Sequence, residues 1–154
     1  MHGAEFLVRT GRDELGEPIV TTVLVIEDEA HLRENIVSVL TFEGFDTLAA
    51  ADGVIGVDLA RKQIPDLILC DLMMPRMDGR EVLIAIRQDP RLRHLPVLML
   101  TAHRDAENLE FARDMKAVGY IVKPFRAGDL ISRVRRFVEP GAEQVSSAGS
   151  HASA

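Results

Sequence analysis

Five short apolar segments, each followed by a segment with helical spacing, constrain the fold of this chain more than any other feature. The apolar segments are TVLVI, FDTLAAA, PDLILCD, PVLMLT and GYIVK. The helical segments are AHLRENIVSVLTFEG, GVIGVDLARKQ, GREVLIAIRQ, DAENLEFARDMK and AGDLISRVRRFV. Near-continuous apolar strands joined by helices are typical of a parallel sheet covered on both faces. The sequence therefore predicts a doubly wound α/β fold with five parallel strands, five helices and right-handed crossovers.

The limits of this regular pattern predict one domain over residues 21–139. Residues 1–20 are mixed in character, and we expect them to form an N-terminal extension. Residues 140–154 are small and polar, which is typical of a disordered tail. Because so little sequence follows the last helix, we expect a stand-alone domain without an attached output domain.

Composition limits the classes of function that the chain can have. The formal net charge of −6 argues against a general nucleic-acid or membrane binder. Cys70 is the single cysteine, so an internal disulfide is impossible. The sequence has no apolar stretch of about 18 residues and no apolar core of a signal peptide. These features together predict a cytoplasmic protein.

Polar side chains stand where four of the five strands end. Glu27 and Asp28 follow the first strand, Asp71 ends the third, Thr101 ends the fourth and Lys123 ends the fifth. The carboxyl ends of parallel strands meet at one edge of the sheet, where ligands bind in folds of this kind. A charge beside a buried strand is costly unless it has a partner. We therefore expect these five side chains to form one shared site.

The residue types at this edge indicate phosphoryl chemistry. Three clustered carboxylates repel one another, and a hard divalent cation relieves that repulsion. Mg²⁺ uses few protein ligands and readily takes phosphate oxygens. Lys123 and Thr101 are suited to hold an anion beside the metal. Since a carboxylate can attack phosphorus, the set favours phosphoryl transfer onto Asp71.

Four motifs in the right order resemble the receiver domain of bacterial two-component response regulators, of the CheY-like type. They are VIEDE, LILCDLMMPRMDG, LMLTA and YIVKPF, and the resemblance covers residues 22–138. It implies a flavodoxin-like strand order of 2-1-3-4-5. It also implies that Asp71 is the phosphoacceptor. Asp28, Asp71 and the Met73 carbonyl would ligate Mg²⁺ or Mn²⁺, with Glu27 acting through water, although many members carry Asp at the Glu27 position.

The resemblance implies further roles at the fourth and fifth strands. Lys123 would pair with the phosphoryl group, and its bond to Pro124 is expected to be cis. Thr101 would be the switch hydroxyl, and Ala102 belongs to the same phosphoryl-binding set. Tyr120 would be the switch aromatic, which turns inward when Thr101 moves.

The function implied is that of a signalling switch rather than an enzyme with an external substrate. A histidine kinase or phosphotransfer protein would donate the phosphoryl group, and the domain would catalyse its own phosphorylation and dephosphorylation. Output would pass to another protein through the Tyr120 face, without direct nucleic-acid or membrane binding. Val118 and Gly119 replace an acidic pair of the transcription-factor branch, so we expect a monomer or a weak dimer.

Other interpretations of single residues stay open at this point. Asp28 could be an ordinary helix N-cap, and Asp71 could simply begin a turn. Cys70 is predicted to be a buried core thiol. Charged residues of the last two helices, including Arg133 and Arg135, are predicted to form solvated faces. His31 and His103 flank the acidic pocket but are expected to be surface residues.

Three other functions compete with the phosphorylated switch. A phosphatase-like hydrolase would use Asp71 as a covalent nucleophile, but it needs a second acid two residues later. This chain has Met73 at that position, which argues against such a hydrolase. A flavin-binding module needs a Ser/Thr/Gly-rich phosphate loop, whereas EDEAHL is acidic. A scaffold that signals without phosphate is disfavoured by the intact set of Asp71, Thr101 and Lys123.

Overall fold

A five-stranded parallel sheet forms the centre of the molecule. The computed structural model describes residues 14–17, 19–102, 110–111 and 113–138 of the 154-residue chain. The strands run β2-β1-β3-β4-β5 across the sheet, and every neighbouring pair is parallel. This confirms the predicted fold class and strand order. The strands are β1 (Thr22–Ile26), β2 (Asp46–Ala50), β3 (Leu67–Asp71), β4 (Val97–Thr101) and β5 (Gly119–Val122).

Four helices with defined bounds lie in the described part of the chain. They are α1 (Ala30–Phe42), α2 (Gly53–Lys62), α3 (Gly79–Gln88) and α4 (Ala127–Val138). The further helix predicted between β4 and β5 falls largely outside the described residues, although positions 110–111 and 113–114 are helical. Most of the predicted N-terminal extension and the predicted tail after residue 139 also lie outside them.

The start of α1 excludes one of the alternatives left open by the sequence. The Glu29 carboxylate, not that of Asp28, accepts a hydrogen bond from the backbone N–H of Leu32. Glu29 is therefore the N-cap, and the capping role considered for Asp28 is wrong. Because the cap is supplied by its neighbour, Asp28 is left available for another function.

The two faces of the sheet are covered by different pairs of helices. Side chains alternate along each strand, so consecutive residues point to opposite faces. One set packs with α2 and α3 in a cluster that we call the α2–α3 layer. The other set packs with α1 and α4 in the α1–α4 layer. The strand residues of the first layer include Leu24, Ile26, Ile68, Cys70 and Met99, and those of the second include Val23, Val25, Leu67, Leu69, Leu98 and Leu100.

Glycine at position 79 allows α3 to begin directly against the end of β3. A Cβ at this position would meet the Asp71 carbonyl oxygen and the Leu72 Cα well inside contact distance. The Gly79 N–H donates to the Leu72 carbonyl at 2.9 Å. Asp78 and Glu81 form a reciprocal capping box at the same helix start. These contacts fix the loop that follows Asp71.

Among the residues described, none of the helices is both long and apolar enough to cross a membrane.

Candidate functional site

Strand alternation places Glu27, Asp71 and Lys123 on the same face of the sheet. Each follows, at a spacing of two residues, a strand residue of the α1–α4 layer. The sheet pairs β1 directly with β3, and β4 lies between β3 and β5. Alternation thus brings together, at one edge, acids that are far apart in the sequence. The preceding residues of that layer are Val25, Leu69 and Ile121.

Lys123 bridges two buried carboxylates. Its Nζ lies 3.1 Å from Asp71 Oδ1 and 3.2 Å from Glu27 Oε1. Glu27 is fully buried, Asp71 is 3% exposed, and the Lys123 side chain is 21% exposed. Buried charges are tolerated when they are paired in this way. This arrangement gives Asp71 the partner that its position after an apolar strand requires.

Three carboxylates converge around Asp71. One oxygen atom from each of Glu27, Asp28 and Asp71 lies within 4.8 Å of the other two. Asp28 is exposed, whereas the other two acids are buried. Carboxylate oxygens are the ligands that hard divalent cations prefer, and an exposed side leaves room for water or phosphate. The donor set therefore fits a magnesium ion.

Burial works against the charged forms of both buried acids. The pKa of Glu27 is raised from 4.5 to about 7, mainly by burial and also by the Asp71 charge, against the lowering effects of the Glu29 backbone hydrogen bond and of Lys123. Burial also raises the pKa of Asp71, although Lys123 and the Met73 backbone hydrogen bond oppose this shift. Burial thus favours the protonated form of each acid, and a bound cation would oppose this effect.

Lys123 stays charged in this environment. Burial disfavours its ammonium form, but the carboxylates of Asp71 and Glu27 outweigh burial and raise its pKa. Its backbone N–H donates to the Thr101 carbonyl at 2.7 Å, so β4 and β5 remain joined at the site. The peptide bond between Lys123 and Pro124 is cis, in agreement with the expectation from the sequence.

Several contacts hold the turn that carries Glu27 and Asp28. The Glu29 N–H donates to Glu27 Oε2 at 3.0 Å, and Arg33 Nη1 donates to the Glu27 carbonyl at 2.8 Å. The Glu27 carboxylate is bonded to Lys123 and to this backbone N–H, and its water-mediated role at a metal ion stays a prediction. The roles of Glu29 and Arg33 were not predicted from the sequence. The capping role of Glu29 could have been predicted, because an acid just before a helical segment is a candidate N-cap. The role of Arg33 could not, because an arginine within a helix has no distinguishing sequence pattern.

Thr101 and Tyr120 belong to the opposite face. Thr101 follows Met99 of the α2–α3 layer at a spacing of two and is 2% exposed. Tyr120 is half-buried against the same layer and is the register partner of Met99. Arg133 donates to the Tyr120 carbonyl at 2.8 Å. Thr101 and Tyr120 therefore lie on the α2–α3 face of the sheet, and Lys123 lies on the α1–α4 face.

The charges of the last helix are not all solvated, which corrects one expectation. Arg133 is half-buried and bonded to the Tyr120 carbonyl, and Arg135 forms an ion pair with Glu43 at the end of α1. Both side chains lie along α4 facing other elements, so their positive charges are used inside the domain. Arg136, by contrast, is exposed.

Other residues singled out from the sequence occupy the rim or the core. Met73 is 61% exposed, and Ala102 and His31 are also exposed. His103 lies outside the described residues. Cys70 is fully buried, as predicted, and burial raises the pKa of its thiol well above the usual range. Its Sγ donates to the Asp71 carbonyl at 3.4 Å, which makes it a core thiol rather than a reactive one.

Most of the chain matches a known protein family. Residues 23–135 match the family described as the response regulator receiver domain. The DNA-binding response regulator MtrA of Mycobacterium tuberculosis is 40% identical over 113 residues, which are 73% of this chain and 48% of MtrA. The regulator RpaA of Synechocystis is 37% identical over 73% of this chain and 47% of its own length. The chain spans about half the length of these curated relatives.

Solved structures show the same fold. The chemotaxis protein CheY4 of Vibrio cholerae superposes with a TM-score of 0.75 and 30% identity, covering 77% of this chain and 99% of CheY4. A response regulator from Chloroflexus aurantiacus, described as putative, gives a TM-score of 0.74 and 31% identity over 78% of this chain and 98% of its own. The chain belongs to the response regulator receiver-domain family, whose members are signalling switches of two-component systems.

Proposed function

We propose that Asp71 accepts a phosphoryl group from a phosphohistidine on a histidine kinase or phosphotransfer protein. The observation that carries this proposal is the position of Lys123 Nζ, within 3.2 Å of oxygens on both Asp71 and Glu27. An Asp71 carboxylate oxygen forms the new bond to phosphorus while the bond from phosphorus to the donor imidazole nitrogen breaks. The imidazole keeps the electron pair and takes up a proton, and Lys123 pairs with the transferred group.

Asp28 and Asp71 are the proposed side-chain ligands of Mg²⁺, with the Met73 carbonyl as a further ligand and Glu27 supporting the site. Mn²⁺ has similar ligand preferences and is an alternative ion. A bound divalent cation supplies positive charge beside the phosphoryl oxygens. Asp28 suits this role because it is exposed and close to both buried acids.

Phosphorylation is proposed to change the surface that contains Tyr120. The Thr101 hydroxyl moves toward the phosphoryl group, next to the Ala102 backbone, and Tyr120 turns into the space that Thr101 leaves. Tyr120 is half-buried before this change, so an inward turn alters an accessible surface. A downstream protein would read that difference.

The proposed unit is a receiver domain over residues 21–139, with an extension over residues 1–20 and a tail over residues 140–154. It would act as a monomer or weak dimer, in the cytoplasm, through protein contacts rather than by binding nucleic acid. MtrA is a DNA-binding regulator about twice as long as the region it shares with this chain. The negative net charge of −6 supports protein-mediated output here.

Phosphorylation by acetyl phosphate tests the proposal directly. We expect intact-mass spectrometry to show one added acid-labile phosphoryl group in wild type with Mg²⁺, and none in Asp71→Asn. Asp58→Asn is a matched control, because Asp58 is exposed on α2 and paired with Lys62. Full labelling of Asp71→Asn would place the chemistry elsewhere. If wild type is not labelled and its NMR spectrum does not respond to beryllofluoride and Mg²⁺, the scaffold function is favoured instead.

A further inference from the structure

Arg33 contacts the peptide group that joins two of the three clustered acids. It lies on α1, and its Nη1 donates to the Glu27 carbonyl oxygen at 2.8 Å. That carbonyl belongs to the peptide unit between Glu27 and Asp28. The Arg33 side chain is half-buried, so part of this charged hydrogen bond is shielded from water. The guanidinium therefore restrains the backbone at the entrance to the acidic cluster.

Asp28 depends on that backbone for its position. Within the described part of the chain, its carboxylate has no hydrogen bond or ion pair, whereas Glu27 is held by Lys123 and by the Glu29 N–H. Asp28 nevertheless has an oxygen within 4.8 Å of oxygens from both other acids. Because the described residues give this side chain no partner, its place beside the other two acids depends on the backbone that carries its Cα.

We propose that Arg33 is a positioning residue of the metal site, which holds the peptide between Glu27 and Asp28 so that Asp28 faces the other two acids. This inference rests on the proposed function, because it assumes that the acids bind Mg²⁺. Mg²⁺ demands near-ideal octahedral geometry, so a small rotation of a ligand-bearing peptide should weaken binding. Arg33 acts through the backbone and needs no contact with the ion.

The charge of Arg33 has the opposite effect from its hydrogen bond. A nearby guanidinium repels a divalent cation, so removal of the charge alone would strengthen Mg²⁺ binding. Removal of the hydrogen bond releases the peptide and would weaken binding. Solvent screens a half-exposed charge, so we expect the positional effect to be larger. The sign of the change in Mg²⁺ affinity therefore distinguishes the two roles.

Calorimetric titration of Mg²⁺ into wild type, Arg33→Met, Arg33→Lys and Arg61→Met tests the inference. Loss of a residue that orients a ligand typically costs about 10–100-fold in metal affinity. Because Arg33 acts on the backbone, we expect about three- to tenfold weaker binding in Arg33→Met. Arg33→Lys retains a charged donor and should stay near wild type. Arg61 lies on α2, is exposed and pairs with Asp89. Arg61→Met removes the same charge away from the acidic cluster, so it should leave the Mg²⁺ affinity unchanged.

Each result decides the matter. Equal or tighter binding by a folded Arg33→Met, as judged by metal-free thermal unfolding, overturns the positioning role. A loss of stability with unchanged Mg²⁺ affinity overturns it as well, since that is the result of a purely structural role. If Arg33→Met does not fold, Arg33→Gln takes its place, because its shorter neutral amide falls short of the Glu27 carbonyl. Absence of Mg²⁺ binding by wild type overturns the proposed metal site itself, whatever the variants do.

Discussion

Glu27 combines complete burial with an ionisable group, and this combination makes the stability of the metal-free protein depend on pH. Its pKa is about 7 in the folded protein against 4.5 ordinarily, mainly because of burial. Between these two values the folded state holds more protons than the unfolded state, so stability falls as the pH rises. The raised pKa of Asp71 acts in the same direction. Lys123 is charged throughout this range and contributes no change.

We therefore expect Glu27→Gln to gain stability relative to wild type as the pH rises from 4.5 to about 7. The difference should reach about 1–3 kcal/mol, since each unit of pKa shift corresponds to about 1.4 kcal/mol. Urea unfolding of both proteins in EDTA at pH 5 and pH 8 measures it. If the difference in free energy of unfolding between the two proteins is the same at pH 5 and pH 8, burial of Glu27 does not have the proposed effect.

Met73 is predicted to influence the lifetime of phosphorylated Asp71. It lies two residues after Asp71, is 61% exposed, and has no strong hydrogen-bonding group to orient an attacking water. We expect Met73→Asn to shorten the lifetime up to about tenfold, which is about 1.4 kcal/mol of barrier. Decay of purified phosphoprotein at saturating Mg²⁺ measures the rate, with Met73→Leu as a control for side-chain volume. Equal or slower decay in Met73→Asn would show that Met73 does not limit water access.

The site residues differ in how well the sequence predicted them. Asp71 and Lys123 could be predicted because each ends an apolar strand, and parallel strands deliver their ends to one edge. The direct bond from Lys123 to Glu27 could not, since it depends on how far each side chain extends. Arg33 was missed for a similar reason, because its role depends on the rotation of α1 about its own axis.

Arg87 joins α3 to two neighbouring connections by a fork of hydrogen bonds. Its Nε donates to the Met115 carbonyl at 3.0 Å and its Nη2 to the Lys116 carbonyl at 2.9 Å. Its Nη1 donates to the Leu95 carbonyl at 2.8 Å and to the Arg93 carbonyl at 3.2 Å. The guanidinium therefore satisfies carbonyl groups on both sides of β4. The planar fork of arginine suits this role, and the single ammonium of lysine does not.

We expect Arg87→Lys to reduce the free energy of unfolding by about 1–3 kcal/mol, because several carbonyl groups lose a charged donor. Arg91→Lys is the control, since Arg91 is exposed and pairs loosely with Asp89, and it should change stability by less than about 1 kcal/mol. Denaturant unfolding of the three proteins makes the comparison. Equal effects of the two substitutions would indicate that the fork contributes no more than a surface ion pair.

Element boundaries were predicted well where chemistry marks them. The predicted and observed bounds coincide for α3, where Asp78 caps the helix, and for α4. The fifth strand was predicted to include Lys123 but ends at Val122. Lys123 lies just beyond the strand, although its backbone N–H still donates to the Thr101 carbonyl. The apolar pattern alone does not mark where this strand ends.

The acidic cluster predicts that Mg²⁺ stabilises the fold as a whole. An ion that binds the folded state stabilises it by about 2.7 kcal/mol at one hundred times its dissociation constant. We expect the thermal unfolding midpoint of wild type to rise with Mg²⁺ concentration and that of Asp28→Asn to rise much less. Without metal, Asp28→Asn should be equally or more stable, since it removes like-charge repulsion. Identical Mg²⁺ responses of the two proteins would exclude Asp28 as a ligand.

The separation of the two helical layers also bears on how such a protein can diversify. Asp71 and Lys123 follow strand residues of the α1–α4 layer, whereas Thr101 follows Met99 of the α2–α3 layer and Tyr120 packs against that layer. The sheet separates the two sets, and only a few contacts, which we call crossing points, connect them. One crossing point is the hydrogen bond from the Lys123 N–H to the Thr101 carbonyl. Substitutions that accumulate on one side need not disturb the other. A change of phosphoryl donor and a change of output partner could therefore evolve independently of each other. The residues at the crossing points would be constrained by both functions.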